Sequence, residues 1–381
     1  MPVDTPIKHF CDLLELIRCF RGCVEDHRHA HNDLIIHRDV SIGNLLIYSH
    51  IHDSQETFGR LRDFDHAKKA LGSKPLPTRE VPEFETLPLP PATKQYEAIV
   101  EAFRYAKEGA FRYITDVKRH RFGPKKESAT TANLGWDHPE ETRWPDFSDC
   151  KAREGERSGT LPFMSVEVLQ RATLRLDDED DEDEDMINAD DLTSTFSHNS
   201  VHDMESFLWV LIYLCLTRSG PGIGMLREEQ NPSHENYASR GELAKAILKY
   251  FDAKELHFAD SKRLLFSNPK RVFETTIIRL FHPYFEPLKP LVRQWWATLK
   301  LAYKHHGNEY YHIHAHILRL LEATLSDLQK HTDLGQEAAT TRELERRESR
   351  SERLHAMAKL APAKNTITPP ISPVPSQTRP E

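Results

Sequence analysis

Residues Ile35–Ile47 read IIHRDVSIGNLLI, and the reading of this stretch organises the rest of the chain. Asp39 and Asn44 stand five positions apart between two short apolar runs, Leu34–Ile36 and Leu45–Ile47. The apolar runs predict short strands that pin both ends of a polar turn and aim its side chains from a rigid base. In the pattern H-R-D-x-x-x-x-N, the carboxylate accepts the proton of an attacking hydroxyl while the amide holds magnesium on nucleotide phosphates. His37 and Arg38 complete the triplet, and Ser41 follows Asp39 by two places. Taken alone, this spacing points to a phosphate-metal site.

Three further motifs follow in order. Phe58–Asp65, FGRLRDFD, is read with a turn at Gly59 and a brief apolar step from Leu61. Asp63 and Phe64 then supply a carboxylate and a packing ring. Asp65 stands where such a motif usually has Gly, and Asp tolerates positive φ better than most residues. The third motif is GTLPFMSVEVL, Gly159–Leu169. The fourth, HDMESFLWVLIYLCL over His202–Leu216, predicts a long apolar helix with Asp203 at its N-terminal end, where free backbone N–H groups favour a carboxylate.

This set resembles the fungal-type protein kinase family, in which the DFD variant, the Ser after the catalytic Asp, the GTLPFM segment and the HD-x-E-S-F helix recur together. The resemblance spans about Leu13 to about Leu321, with insertions. It implies phosphoryl transfer from ATP to a protein Ser or Thr hydroxyl, with ATP and Mg²⁺ as ligands. By the same resemblance Asp39 is the base, Arg38 steadies the loop and the activation segment, and Asn44 and Asp63 hold magnesium. Asp203 braces the loop from below, Thr160 approaches Asp39, and Glu167 forms a buried ion pair with Arg279 or Arg293, a choice the sequence leaves open.

Two features depart from the general kinase pattern. Ser41 occupies the place where most serine/threonine kinases carry a Lys that meets the γ-phosphate, a substitution the fungal family shares. Only 36 residues precede His37, too few for a small β-rich lobe, and they contain no Gly-rich loop, strand Lys or helix Glu. The chain by itself is therefore expected to be inactive or incomplete as an enzyme. The alternative function is a catalytically inactive pseudokinase or lobe-only binding scaffold.

The preceding segment Ile7–Val24 places Phe10, Leu13, Leu14, Ile17 and Phe20 at helical spacing for one buried face. GPGIG at Gly220–Gly224 follows a helix and contains Pro, so it reads as a turn, not a phosphate loop. The expected fold is mainly α: a protein kinase-like C-terminal lobe with short β-hairpins around the catalytic loop, plus disordered insertions and tail. Residues 1–70 hold the first helix and both loops, and 71–156 form an insertion within the activation segment. Residues 157–335 complete the helical lobe, with an acidic insertion at 177–191, and 336–381 form a frayed helix and disordered charged, Pro-rich tail.

Within those bounds, Leu71–Thr93 is Pro-rich and expected to be extended, and Lys94–Arg121 has an amphipathic helical pattern. Residues 177–185 are all Asp or Glu, a run that repels itself and stays solvated. Further helices are expected at Leu243–Phe251, Val272–Phe281, Leu291–Lys304 and His312–Leu328.

Composition narrows the partners. With 51 basic against 59 acidic residues the net charge is −8, which gives no general nucleic-acid footprint, and 38 % hydrophobic residues suffice for one sizeable core. No apolar run reaches membrane-spanning length, no signal-peptide pattern opens the chain, and an intracellular protein is expected. A protein substrate or partner is expected but not identified. Five cysteines argue against a disulfide framework, so Cys11, Cys19 and Cys23 read as buried thiols. The alternating His312, His314 and His316 read as packing or capping residues, since one ion could gather only two of them on a helix.

Overall fold

The computed structural model describes residues 5–50, 53–75, 143–147, 159–174, 176, 197–222, 226–252, 255–268, 270–304, 313–330 and 337–360. Helix α1, Leu13–Asn32, starts at Asp12, whose side chain accepts the Glu15 amide at 2.6 Å. That cap satisfies one of the amides a helix start leaves open. Phe10, Leu13, Ile17 and Phe20 are buried as their spacing predicts, with Leu14 packed partly buried beside them.

Strands β1 (Thr5–Pro6), β3 (Leu45–His50) and β4 (Asp53–Leu61) form an antiparallel sheet in the order β1-β3-β4. Leu45 lies opposite Leu61, so the polar residues just before β3 and just after β4 come to one end of the hairpin. Strand β2 (Ile35–Ile36) pairs with β5 (Lys68–Lys69), and β6 (Gly72–Pro75) pairs with β7 (Arg143–Asp146).

The expected turn at Gly59 is corrected by this register. Gly59 lies inside β4, opposite Ile47. A Cβ on Gly59 would stand 1.8 Å from the Cys19 carbonyl oxygen, and one on Gly22 would stand 2.7 Å from the Gly59 backbone. The two glycines let α1 lie with its backbone directly on β4, so Gly59 is a close-approach residue. Gly59→Ala is expected to force helix and strand apart and cost about 2–3 kcal/mol. Thermal unfolding reads this as a clear drop in Tm; an unchanged Tm would contradict the close approach.

The rest is mostly helical. A 3₁₀ turn, Leu161–Phe163, leads into α2 (Val166–Gln170), and α3 (Ser200–Thr217) follows. Then come α4 (Gly241–Ile247) with a π turn at Leu248–Asp252, α5 (Glu255–Ser267), α6 (Lys270–Thr276), α7 (Lys289–Lys304), α8 (Ile313–Lys330) and α9 (Glu337–Leu360). In α3 every residue but Tyr213 is buried, as an apolar surface on all sides requires. Asn199 accepts the Val201 amide and its own amide donates to His202 Nδ1, closing a reciprocal cap at the helix start. Around α3 the core is filled by aromatic groups, with Phe266 and Phe273 stacked on Trp296 at centroid distances of 3.9 and 4.1 Å.

The expectation for 336–381 needs correction over its first half. Residues Glu337–Leu360 form α9, which docks onto the start of the chain. Arg347 reaches Glu15 through Nη1 and Nη2 at 2.7 Å and also donates to the His9 carbonyl, while Thr340 Oγ1 donates to the Cys11 carbonyl at 2.7 Å. Glu15 and Glu343 are buried, and Glu343 pairs with Arg346 and Arg347. A highly charged segment is thus ordered by pairing its charges. The amphipathic pattern at Lys94–Arg121, the acidic run at 177–185 and the Pro-rich end lie outside the described residues, as do most of 71–156, His312 and Gly224. Cys11, Cys19, Cys23 and Cys215 are buried free thiols. Among the described residues, no helix is long and apolar enough to cross a membrane, and no cluster of three metal-type ligands is present.

Candidate active site

The polar loop between β2 and β3 folds back on itself. Asn44 Nδ2 donates to the Asp39 carbonyl at 2.8 Å and to Asp39 Oδ2 at 3.1 Å, and the Asn44 amide closes a turn onto the Ser41 carbonyl at 3.0 Å. Ser41 is buried within that turn. His37 is buried; its Nε2 meets the Arg62 carbonyl at 3.0 Å and its Nδ1 accepts the Asp39 amide at 3.2 Å. Only the tautomer with hydrogen on Nε2 satisfies both bonds. Burial pushes the His37 ring below its ordinary value, in keeping with a neutral imidazole that donates on one side and accepts on the other.

Asp63 arrives at the same end of the β3–β4 hairpin, one residue beyond the bond from the Arg62 amide to the Asn44 carbonyl (3.0 Å). Its side chain is exposed, and Phe64 packs edge-on against His37 with centroids 4.6 Å apart. The left-handed backbone falls at Asp63 (φ 68°) and Arg38 (φ 71°), and Asp65 has no positive φ. Asp tolerates this region; at Arg38 the conformation costs on the order of 1–2 kcal/mol and needs an outside hold.

That hold comes from Asp203 on α3, whose Oδ2 accepts the Arg38 amide at 3.1 Å. Asp203 also accepts from His27 Nε2 on α1 and from His198 Nε2, both at 2.8 Å. His27 Nδ1 in turn lies 2.7 Å from His314 Nε2 of α8, within hydrogen-bond distance. His31, one turn beyond His27, packs its ring 5.2 Å from His314. Burial drives His31 down to about 3 and His198 to about 4. It also drives His314 well below the ordinary value. For Asp203 burial pushes upward, but the adjacent His198 ring and the hydrogen bonds from His198 and His27 outweigh it and hold the carboxyl well below the usual range. Beneath the loop therefore lies a carboxylate held by imidazole N–H groups.

The GTLPFM segment closes over the same loop. The Thr160 amide and hydroxyl both donate to Asp39 Oδ1, at 2.8 and 3.0 Å. Gly159 has φ 117°, and a Cβ there would stand 2.8 Å from the Arg38 carbonyl oxygen. Glu167 is buried as expected, but the partner expected for it is corrected. Its Oε2 meets His202 Nε2 at 2.8 Å and its Oε1 accepts the Leu174 amide at 2.6 Å. Arg279 pairs instead with Glu242, and Arg293 with Glu274. A neutral His202, accepting the Asn199 amide on Nδ1, satisfies a buried carboxylate without a second buried charge.

Asp39, Asn44 and Thr160 thus meet directly, with Arg38 and Asp203 joined one step below and Asp63 at the hairpin end beside them. Sequence reasoning missed His27 and His198, and read His314 only as a packing or capping residue. The one available signal was the four-residue spacing of His27 and His31 on the inward side of α1. Also missed was Glu205, which accepts the Val166 amide, the Trp209 indole and the Tyr303 hydroxyl.

The model of the fungal protein kinase family matches residues 1–79 and 145–215. The matched residues carry the loop, the hairpin, the GTLPFM segment and all but the end of α3. Over these two segments the chain is similar to the fungal protein kinase family. The match supports a kinase-like domain, and the first three motifs and nearly all of the fourth fall inside the two matched segments. No curated protein and no solved structure matches the chain.

Proposed function

We propose that this kinase-like domain transfers the γ-phosphoryl group of ATP to a Ser or Thr hydroxyl of a protein. The observation that carries this reading is the shared grip on Asp39. Thr160 fixes one carboxylate oxygen and Asn44 the other, so the group is aimed while one face stays partly exposed to an incoming hydroxyl. Such positioning supplies most of what a phosphoryl-transfer enzyme contributes.

The donor set suits magnesium. Asn44 donates to Asp39 through its nitrogen, so its Oδ1 takes no part in those bonds, and the exposed Asp63 carboxylate stands at the same hairpin end. Both are hard oxygen donors of the type the ion prefers. When bound, Mg²⁺–ATP supplies the transferable phosphoryl group and neutralises its charge. In this reading Asp39 accepts the hydroxyl proton, Thr160 holds Asp39 in register with the substrate segment, and Arg38, braced by Asp203, fixes the loop backbone. Ser41 shapes the turn and contributes no cation.

Asp39→Asn in the full chain is expected to abolish transfer of labelled γ-phosphate, by at least about a hundredfold, with folding intact. Calorimetry with Mg-ATP separates the readings: binding with turnover supports the proposal, binding without turnover favours a binding scaffold, and retained transfer in the Asn variant overturns it.

A further inference from the structure

Two buried charges that the loop itself does not use converge on the segment carrying Thr160. Lys262 of α5 is fully buried; its Nζ donates to the Pro162 carbonyl at 2.9 Å and the Met164 carbonyl at 2.5 Å, and lies 4.3 Å from the Trp209 ring centroid. Glu205 of α3 is also fully buried and accepts the Val166 amide on both oxygens, at 3.0 and 3.1 Å. It is itself held by Trp209 Nε1 at 2.7 Å and by the Tyr303 hydroxyl. The two charges thus hold the turn through its backbone: Lys262 takes carbonyls at 162 and 164, and Glu205 takes the amide at 166.

Stability alone gives little reason for this arrangement. Burial pushes Lys262 down to about 7 against the pull of Glu205, and pushes Glu205 upward against Lys262. A pair of buried charges is commonly matched or exceeded in stability by apolar residues of similar size. What apolar residues cannot do is satisfy two carbonyls and an amide turned inward from a short irregular segment. Within that segment the Phe163 amide donates to the Thr160 carbonyl at 2.9 Å, so the turn gripped from 162 to 166 is continuous with the residue on Asp39.

We propose that Lys262 and Glu205 are positioning residues that clamp the Leu161–Phe163 turn from two helices and so hold Thr160 against Asp39. Their contribution to catalysis rests on the phosphoryl-transfer reading above; the clamp itself does not. Neither side chain touches the phosphate-binding residues, so losing the clamp lowers the rate of transfer and leaves nucleotide affinity in place.

The test uses the full chain with Lys262→Met, and Glu205→Gln together with Lys262→Met. The double variant removes both buried charges, so it folds even where the single variant, left with an uncompensated carboxylate, does not. Hydrogen exchange at the Thr160 and Val166 amides is expected to quicken by about tenfold or more while α7 keeps its protection. In the same variants kcat is expected to fall by about a hundredfold with KM for Mg-ATP within about threefold of the parent. Glu205→Gln alone retains one acceptor oxygen and is expected to keep most of the protection. Unchanged exchange at Thr160 and Val166 in a folded variant overturns the clamp. A parent protein that transfers no phosphate overturns the functional reading instead, and the exchange measurement still decides the clamp.

Discussion

Asp203→Ala is expected to destabilise the fold by about 3–5 kcal/mol, because it strands several buried donors at once. His27 Nε2, His198 Nε2 and the Arg38 amide all end on this carboxylate, which is 1 % exposed, so water cannot replace it. Arg38 would also lose its hold on a left-handed backbone, and the loop bearing Asp39 would relax toward ordinary φ values. Urea unfolding measures this as a lowered midpoint with an unchanged m-value. A loss below about 1 kcal/mol would show that the donors find other partners and that Asp203 does not carry the loop.

Acid should act on the same cluster without any mutation. His31 and His198 are held at about 3 and about 4 in the folded chain, against 6.5 for a free ring. Between those values the unfolded chain binds protons that the folded chain refuses, so stability rises with pH across this window and is lost on acidification. The contribution is fully present above the unfolded value. At about pH 5 the loss amounts to roughly 2 kcal/mol for each of these two rings. Asp203 has the opposite charge and a depressed folded value, so its share is lost in a lower window, below the ordinary carboxylate range. Chemical unfolding at several pH values is expected to show a steep decline below about pH 6.5, and a flat profile down to about pH 5 would exclude neutral buried rings.

Local chemistry was legible in the sequence where it depends on near neighbours. The strand-turn-strand reading of Ile35–Ile47 holds, as does the apolar face of α1, because each rests on periodicity within a short stretch, whereas α5 was not anticipated. Partner choice was not legible. His27 and Asp203 are 176 positions apart, and Glu205 and Tyr303 are 98 apart, so only the packed fold brings them together. The expectation of an Arg partner for Glu167 missed that a neutral imidazole from α3 serves a buried carboxylate with one charge fewer. Gly59 was misread as a turn because a glycine that admits another backbone and a glycine that reverses the chain look alike in sequence. The α9 segment read as a frayed helix leading into a disordered tail, since charge content alone does not reveal that Glu15 awaits an arginine far along the chain.

The Arg347–Glu15 contact has a bearing on biosynthesis. The two residues are 332 positions apart, so at about 5–20 residues per second the ribosome has tens of seconds of translation to complete between them. During that interval the early helix holds an acidic group in a site built for an ion pair, with no guanidinium yet made. Completion of this end of the molecule therefore waits on the synthesis of α9, and until then Glu15 stands without its guanidinium partner.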